Sequence, residues 1–290
     1  VDQQPLRLGA RTVAPHELLV MAVINRTPDS FYDRGATWQQ DAALDAADAM
    51  VAQGADLLDV GGVKAGPGDL VDAAEEIRRT APFVAAIRSR HPGVAISVDT
   101  WRAEVARVLL AEGADVVNDT WGGYDPQLAV AAAEHDAGLV CAHAGGLVPR
   151  SRPHRTRYLD VVADVLATVT ELADRAVSAG VARDRIVIDP AHDFGKNTWH
   201  SLEITRRLDE LVATGWPVLV ALSRKDFLGE VLDLPPAERL EGTLAATALS
   251  AQSGARMFRT HDVTATRRVL DVVAAVRGTG TPRRVVRGLA

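Results

Sequence analysis

Two hundred and ninety residues, 47% of them apolar, are enough for a large core, and a net charge of −6 argues against a general nucleic-acid-binding surface. The single cysteine, Cys141, excludes a disulfide framework and fits a reducing compartment. The N-terminal VDQQPLRLGA lacks an apolar signal core and LLVMAVI (18–24) is too short to cross a bilayer, so the cytoplasm is the expected location, with neither a membrane nor a nucleic acid as partner.

In chain order, short β-rich runs alternate with longer helical patterns. LLVMAVIN (18–25) leads to an amphipathic helix over WQQDAALDAADAMVAQGA (38–55), and DLLDVGG (56–62) follows. AISVDT (95–100) precedes a helix over AEVARVLLAEGA (103–114), then come DVVNDT (115–120) and LVCAHA (139–144). LDVVADVLATVTELADRAVSAG (159–180) is helical, and IVIDP (186–190), PVLVALSR (217–224) and RMFRTHD (256–262) complete the strands. The strand runs are nearly continuous in apolar residues, as for parallel strands covered on both faces, and several helices end in Gly-Ala or Ala-Gly before the next strand. Eight such units predict an α/β fold, a single (β/α)8 TIM barrel with its core over about 16–276, in one domain spanning 1–290 with a loose basic tail at 278–290. An open doubly wound sheet would carry Gly-x-Gly-x-x-Gly after its first strand, where this chain has NRTPDSF.

Barrel enzymes act at the C-terminal ends of their strands. Those ends read Asn25, Asp59, Asp99, Asn118–Asp119, His143, Asp189, Ser223–Arg224–Lys225, and Arg259 with His261–Asp262. A helix cap accounts for any one of them; polar groups on all eight strands predict a site at that rim. Asp99, Asn118 and Asp189 suit a flat heterocycle with an amino-imino edge, because a carboxylate accepts two parallel N–H bonds. Lys225, Arg259 and His261 suit an anionic leaving group. No Cys/His cluster with zinc spacing and no Ser-His-Asp arrangement is evident, and Cys141 reads as core.

From about 16 to 276 the chain resembles the dihydropteroate synthase family. The resemblance rests on NRTPDSF (25–31), DVGG (59–62), SVDT (97–100), NDT (118–120), DP with FGKN (189–190, 194–197), SRK (223–225) and GTLAATALSAQSGARMFRTHDV (242–263). It implies a barrel that condenses a dihydropterin pyrophosphate with p-aminobenzoate, releasing pyrophosphate and making dihydropteroate for folate synthesis. It implies that Asp99, Asn118, Asp189 and Lys225 hold the pterin ring and that Arg259 stacks on it. His261 and Asn25 would meet the pyrophosphate, Asn25 also at the Mg2+ position. Phe31, Pro67 and Ser223 would lie on the side of the aminobenzoate, or of sulfa and sulfone inhibitors. Lys225, Arg259 and His261 are the catalytic residues the resemblance implies if the reaction runs. Such proteins are usually homodimers through the outer helices of the late repeats, and LEGTLAATALSAQSGA (240–255) has small and apolar residues suited to that contact or to packing on the barrel.

The chain departs from the family where the two glycines of DVGG end. Family members usually continue Glu-Ser-Thr-Arg-Pro-Gly, with the threonine and arginine closing over pyrophosphate and aminobenzoate; here stand Val63, Lys64, Ala65, Gly66, Pro67 and Gly68. Arg26 replaces the usual valine, AHDFGK (191–196) replaces Gly-Phe-Gly-Phe-Gly-Lys, and Ala142 stands where a methionine is frequent. Lys64 and Arg26 read either as relocated cations that meet the pyrophosphate or as exposed rim charges. His192 and Asp193 read as a new polar subsite or as a solvated loop. The pattern resembles the second, defective copies of mycobacteria and related actinobacteria, which implies weak or absent synthase activity with pterin binding retained. The alternatives are an active synthase with a rebuilt loop, a non-catalytic partner-binding barrel, and a pterin-binding methyltransferase barrel, against which SRK and RTHD speak.

Overall fold

A computed structural model describes residues 4–27, 39–151 and 157–287. Among them the chain opens with an antiparallel hairpin, β1 (Leu6–Leu8) and β2 (Arg11–Val13). Eight parallel strands follow: β3 (Leu19–Asn25), β4 (Leu57–Gly61), β5 (Ala95–Asp99), β6 (Val116–Asp119), β7 (Gly138–Ala142), β8 (Ile186–Asp189), β9 (Leu219–Val220) and β10 (Met257–Thr260). Each pairs with its sequence neighbour except at β8–β9, and β10 pairs with β3. The remaining gap is closed by a parallel bridge between Ile188 and Val218, with the Ile188 amide donating to the Pro217 carbonyl at 2.9 Å. The (β/α)8 barrel expected from the alternation is therefore the fold.

The helices are α1 (Gln40–Ala52), α2 (Ala73–Arg90), α3 (Ala103–Ala111), α4 (Gln127–Glu134), α5 (Val161–Ser178), α6 (Thr198–Arg206), α7 (Leu208–Val212), α8 (Asp226–Leu232), α9 (Leu240–Ser253) and α10 (Val263–Val276). Their apolar faces pack on the outward residues of the strands, Val20, Leu58, Ile96 and Ile186 among them. Short polar residues start the two longest helices: Asp72 accepts from the Glu75 amide, and Asp160 from those of Val162 and Ala163.

The inward residues form a second cluster with one or two members from every barrel strand, Leu19, Met21, Leu57, Ala95, Val116, Val140, Val187, Leu219 and Met257. Leu6, Leu8 and Val13 of the hairpin join it and fill the N-terminal end of the barrel. The buried Arg256 guanidinium ties the hairpin down through the carbonyls of Gln4, Val13 and Ala14. This hairpin was not expected, because LRL and RTV are too short to stand out as strands.

The strand expected over 217–224 contracts to β9. Pro217 has no N–H to give the ladder, and Arg224, with φ 56, turns the chain away after Ser223. The basic tail is exposed over most of 278–287, and its Arg283 pairs with Asp271 at 2.7 Å.

Candidate functional site

The carboxyl ends of the strands enclose a cavity of about 290 Å³. At its floor the Arg259 side chain, from the end of β10, donates from Nε to Asp59 Oδ2 at 2.6 Å and from Nη2 to Asp99 Oδ2 at 2.9 Å. Asn118 lies fully buried beside them, its Nδ2 3.3 Å from Asp59 Oδ2, while its Oδ1 has no partner among the described residues. That orphaned acceptor calls for a donor. Burial drives the Asp99 carboxyl upward against the opposing pull of Arg259, and the nearby Asp59 adds to the rise. Asp189 Oδ1 accepts from the Ala191 amide at 2.7 Å; burial pushes this acid up to about 6, with that amide and Lys225 working against the shift.

On the next sector Ser223 and His261 interlock. The His261 amide donates to Ser223 Oγ at 3.2 Å, so the hydroxyl has its own proton for His261 Nδ1 at 2.9 Å. Burial, with Arg259 nearby, lowers His261 to about 4, so the ring is neutral at pH 7. Arg224 is a brace: it forms a fork with Asp262, both distances 3.0 Å, and donates to the carbonyls of Pro236 and Ala237. The bend sets Lys225 Nζ 4.8 Å from the Phe194 ring centre, and burial lowers that ammonium below the usual lysine range.

Asn25 ends β3, the strand paired with β10, and lines the cavity with Val63, Lys64, Ala65 and Gly66 of the loop after β4. Pro67 is exposed and is not among the residues lining the cavity; Arg150 anchors the loop on either side of it through the carbonyls of Gly66 (3.4 Å) and Asp69 (2.6 Å). Phe31 falls outside the described residues.

Three expectations need correction. Arg26 is not an exposed rim charge: it is 6% exposed, its guanidinium lies 4.8 Å from the Phe83 ring centre, and it donates to the carbonyls of Gln39 and Arg79. His192–Asp193 is not a solvated loop either. His192 is fully buried against Phe227, with Nε2 3.1 Å from Thr205 Oγ1, and burial lowers it to about 3. Nor do all eight strand ends meet in the cavity. His143 is absent from its lining and links the half-exposed Asp164, at 2.7 Å, to the buried Lys196 Nζ, at 2.8 Å. Asp119 likewise braces its own loop through the amides of Trp121 and Gly123.

Asp59, noted in the sequence only as a strand end, proves to be the partner of both Arg259 and Asn118. An acid inside the apolar run LLDV (57–60) was the signal, since a fully buried carboxylate requires a partner. Lys196 was also missed; its ammonium meets the carbonyls of His143, Ala191 and Phe194 at 2.8–3.1 Å.

A barrel whose mouth carries this acid-amide-arginine floor belongs with the pterin binders, and the comparison with known families agrees. The model of the pterin binding enzyme family matches residues 21–261, and the chain belongs to that family. Within it, the chain is 59% identical over 287 residues to a protein of Mycobacterium leprae named inactive dihydropteroate synthase 2, covering 98% of this chain and 99% of that one. It is 40% identical over 264 residues to the dihydropteroate synthase of Bacillus subtilis, covering 90% of each. The crystal structure of the Yersinia pestis dihydropteroate synthase in a sulfonamide drug complex superposes with a TM-score of 0.89 at 33% identity, over 95% of this chain and 99% of that one.

Proposed function

We propose that this protein binds a pterin on its barrel floor while its ability to condense the dihydropterin pyrophosphate with p-aminobenzoate is absent or strongly impaired. The observation that carries this reading is the rim loop: Val63, Lys64, Ala65 and Gly66 line the cavity with neither a hydroxyl nor a guanidinium among them. Charge-assisted hydrogen bonds contribute about 1.5–3 kcal/mol each. Two lost contacts cost roughly 3–6 kcal/mol of transition-state stabilisation, or about 10²–10⁴-fold in rate. A neutral His261 adds no charge to meet a diphosphate.

The floor suits a pterin: Asp99, Asn118 and Asp189 supply acceptors for an amino-imino edge, and Lys225 and Arg259 supply donors and cationic faces. The aryl amine, or a sulfa or sulfone inhibitor, would lie towards Ser223. Among the described residues no group of three or more His, Cys, Asp or Glu could cage a metal. Mg2+ would enter as an ion carried by the diphosphate, with Asn25 as an oxygen ligand from the chain, the ordinary habit of this cation. No helix among the described residues is long and apolar enough to cross a membrane. Leu249 on α9 and Val272 and Val276 on α10 are exposed on two helices that pack together, which suits a homodimer through this side.

Dihydropteroate formation from the two substrates, assayed beside an ordinary synthase, tests the reading: turnover within about tenfold of the ordinary enzyme defeats it. A rebuilt but active loop is the second reading, favoured by Lys64 lining the cavity. The combined Lys64→Ser, Ala65→Thr, Gly66→Arg change separates the two, since it raises turnover only if the loop is at fault.

A further inference from the structure

The strap between β8 and α6 places an acid in the cavity wall where the backbone favours glycine. Asp193 has φ 68 and lines the cavity with Phe194, Lys225 and Asp226. Both carboxylate oxygens are engaged: Oδ1 accepts from Ser201 Oγ at 3.1 Å, and Oδ2 from the Asp226 amide at 2.7 Å. These two contacts hold the carboxylate in the wall. Of the charges acting on Lys225, that of Asp193 is the strongest; Arg259 opposes it, and Asp189 and Asp226 add to it. Asp226 is itself paired with Arg239 at 2.9 Å. A second anion brought beside Phe194 would meet a carboxylate held in the same wall and a lysine that already faces the charge of Asp193.

We propose that Asp193 sets the charge selectivity of this sector, rejecting aromatic amines that carry a carboxylate and admitting those that are uncharged at that end. The proposal rests on the reading of the cavity as a pterin and aryl-amine site, and it gives that site a second ligand unlike p-aminobenzoate. The discrimination comes from one side chain, so a single substitution removes it.

The test is calorimetric titration at pH 7.5 with p-aminobenzoate and with p-aminobenzamide, its neutral isostere, in the presence of a saturating pterin that lacks the diphosphate. The wild type binds the amide at least tenfold more tightly than the carboxylate. Asp193→Asn, which keeps an acceptor and tolerates the left-handed backbone, brings the ratio to within threefold. Asp193→Gly, which suits that backbone better still, does the same. Equal affinities in the wild type, or an unchanged ratio in both variants, overturn the proposal. Pterin binding is titrated separately. A wild type that binds neither pterin nor aryl amine sinks the reading of the cavity and this proposal together; one that binds pterin without discriminating amide from carboxylate sinks this proposal alone.

Discussion

Arg259 links Asp59 of β4 and Asp99 of β5, 2.6 Å from one carboxylate and 2.9 Å from the other. The guanidinium thus has a structural task in addition to any ligand it meets. Removing one partner of a buried pair leaves an uncompensated charge and costs about 3–5 kcal/mol. Arg259→Met is expected to lower stability by that amount in urea unfolding, and adding Asp59→Asn should return part of it. A loss under 1 kcal/mol, or no rescue in the double variant, would show that the network holds nothing together.

This network also shows how far the sequence could be read. The barrel was legible because its strands are apolar runs covered on both faces, and the polar residues at or near their ends pointed to the rim. Pairing was not legible: nothing local says that Arg259 reaches Asp59 two hundred positions away. Burial of charge misled in the same way. Arg26 looks like a surface residue until Phe83 of α2 is seen beneath it, and His192 until Phe227 is. Both aromatic partners come from other βα units, so only the closed barrel brings them together.

The acids of the floor give pterin binding a pH dependence. Asp189 titrates at about 6 in the fold, above its ordinary value, because it is buried. Taken alone, that shift stabilises the protein below the unfolded pKa of about 4, and the contribution is lost as pH rises through 6. Ligand binding has the opposite sign, since only the ionised carboxylate accepts two N–H bonds. Affinity for a pterin is expected to hold steady above pH 7 and to fall by up to about tenfold per unit below 6. The raised Asp99 acts in the same direction. Calorimetric titration between pH 5 and 8 measures this, and Asp189→Asn should bind weakly with a flatter profile.

Lys196 provides a second pH window. Burial lowers it to about 7, partly offset by Asp189, and three carbonyls hold its protons. A lysine lowered in the fold contributes stability above its unfolded pKa and loses it as pH falls through the folded one. Its share therefore grows between pH 7 and 10. The sequence holds three lysines, Lys64, Lys196 and Lys225, so lysine-selective NMR resolves each. The signal that disappears in Lys196→Met should titrate near 7; a midpoint above 10 would refute the shift.

The proposed dimer is tested on its apolar side. Leu249 is 64% exposed on α9 and Val276 79% exposed on α10. Leu249→Glu, buried against a second copy, would place a charge in the contact and yield a monomer in sedimentation with little change in the protomer's own unfolding. A wild type that sediments as a monomer at micromolar concentration removes the dimer.

The strap over the cavity predicts two changes of opposite sign. Ala191 holds φ 49, a left-handed conformation that costs a residue with a Cβ about 1–2 kcal/mol. Ala191→Gly relieves that strain and loses about 0.4–1 kcal/mol to the greater freedom of the unfolded chain. A net gain of up to about 1.6 kcal/mol is expected, the reverse of the usual effect of glycine. Four residues on, Gly195 has φ 62, and a Cβ there would stand 2.9 Å from the Ala144 carbonyl oxygen. Gly195→Ala therefore adds the left-handed penalty and a clash with backbone that cannot turn aside, for a loss above 2 kcal/mol. Thermal unfolding of both variants decides the matter. If Ala191→Gly destabilises as much as Gly195→Ala, the strap is not held in the strained form that carries Asp193 into the cavity wall.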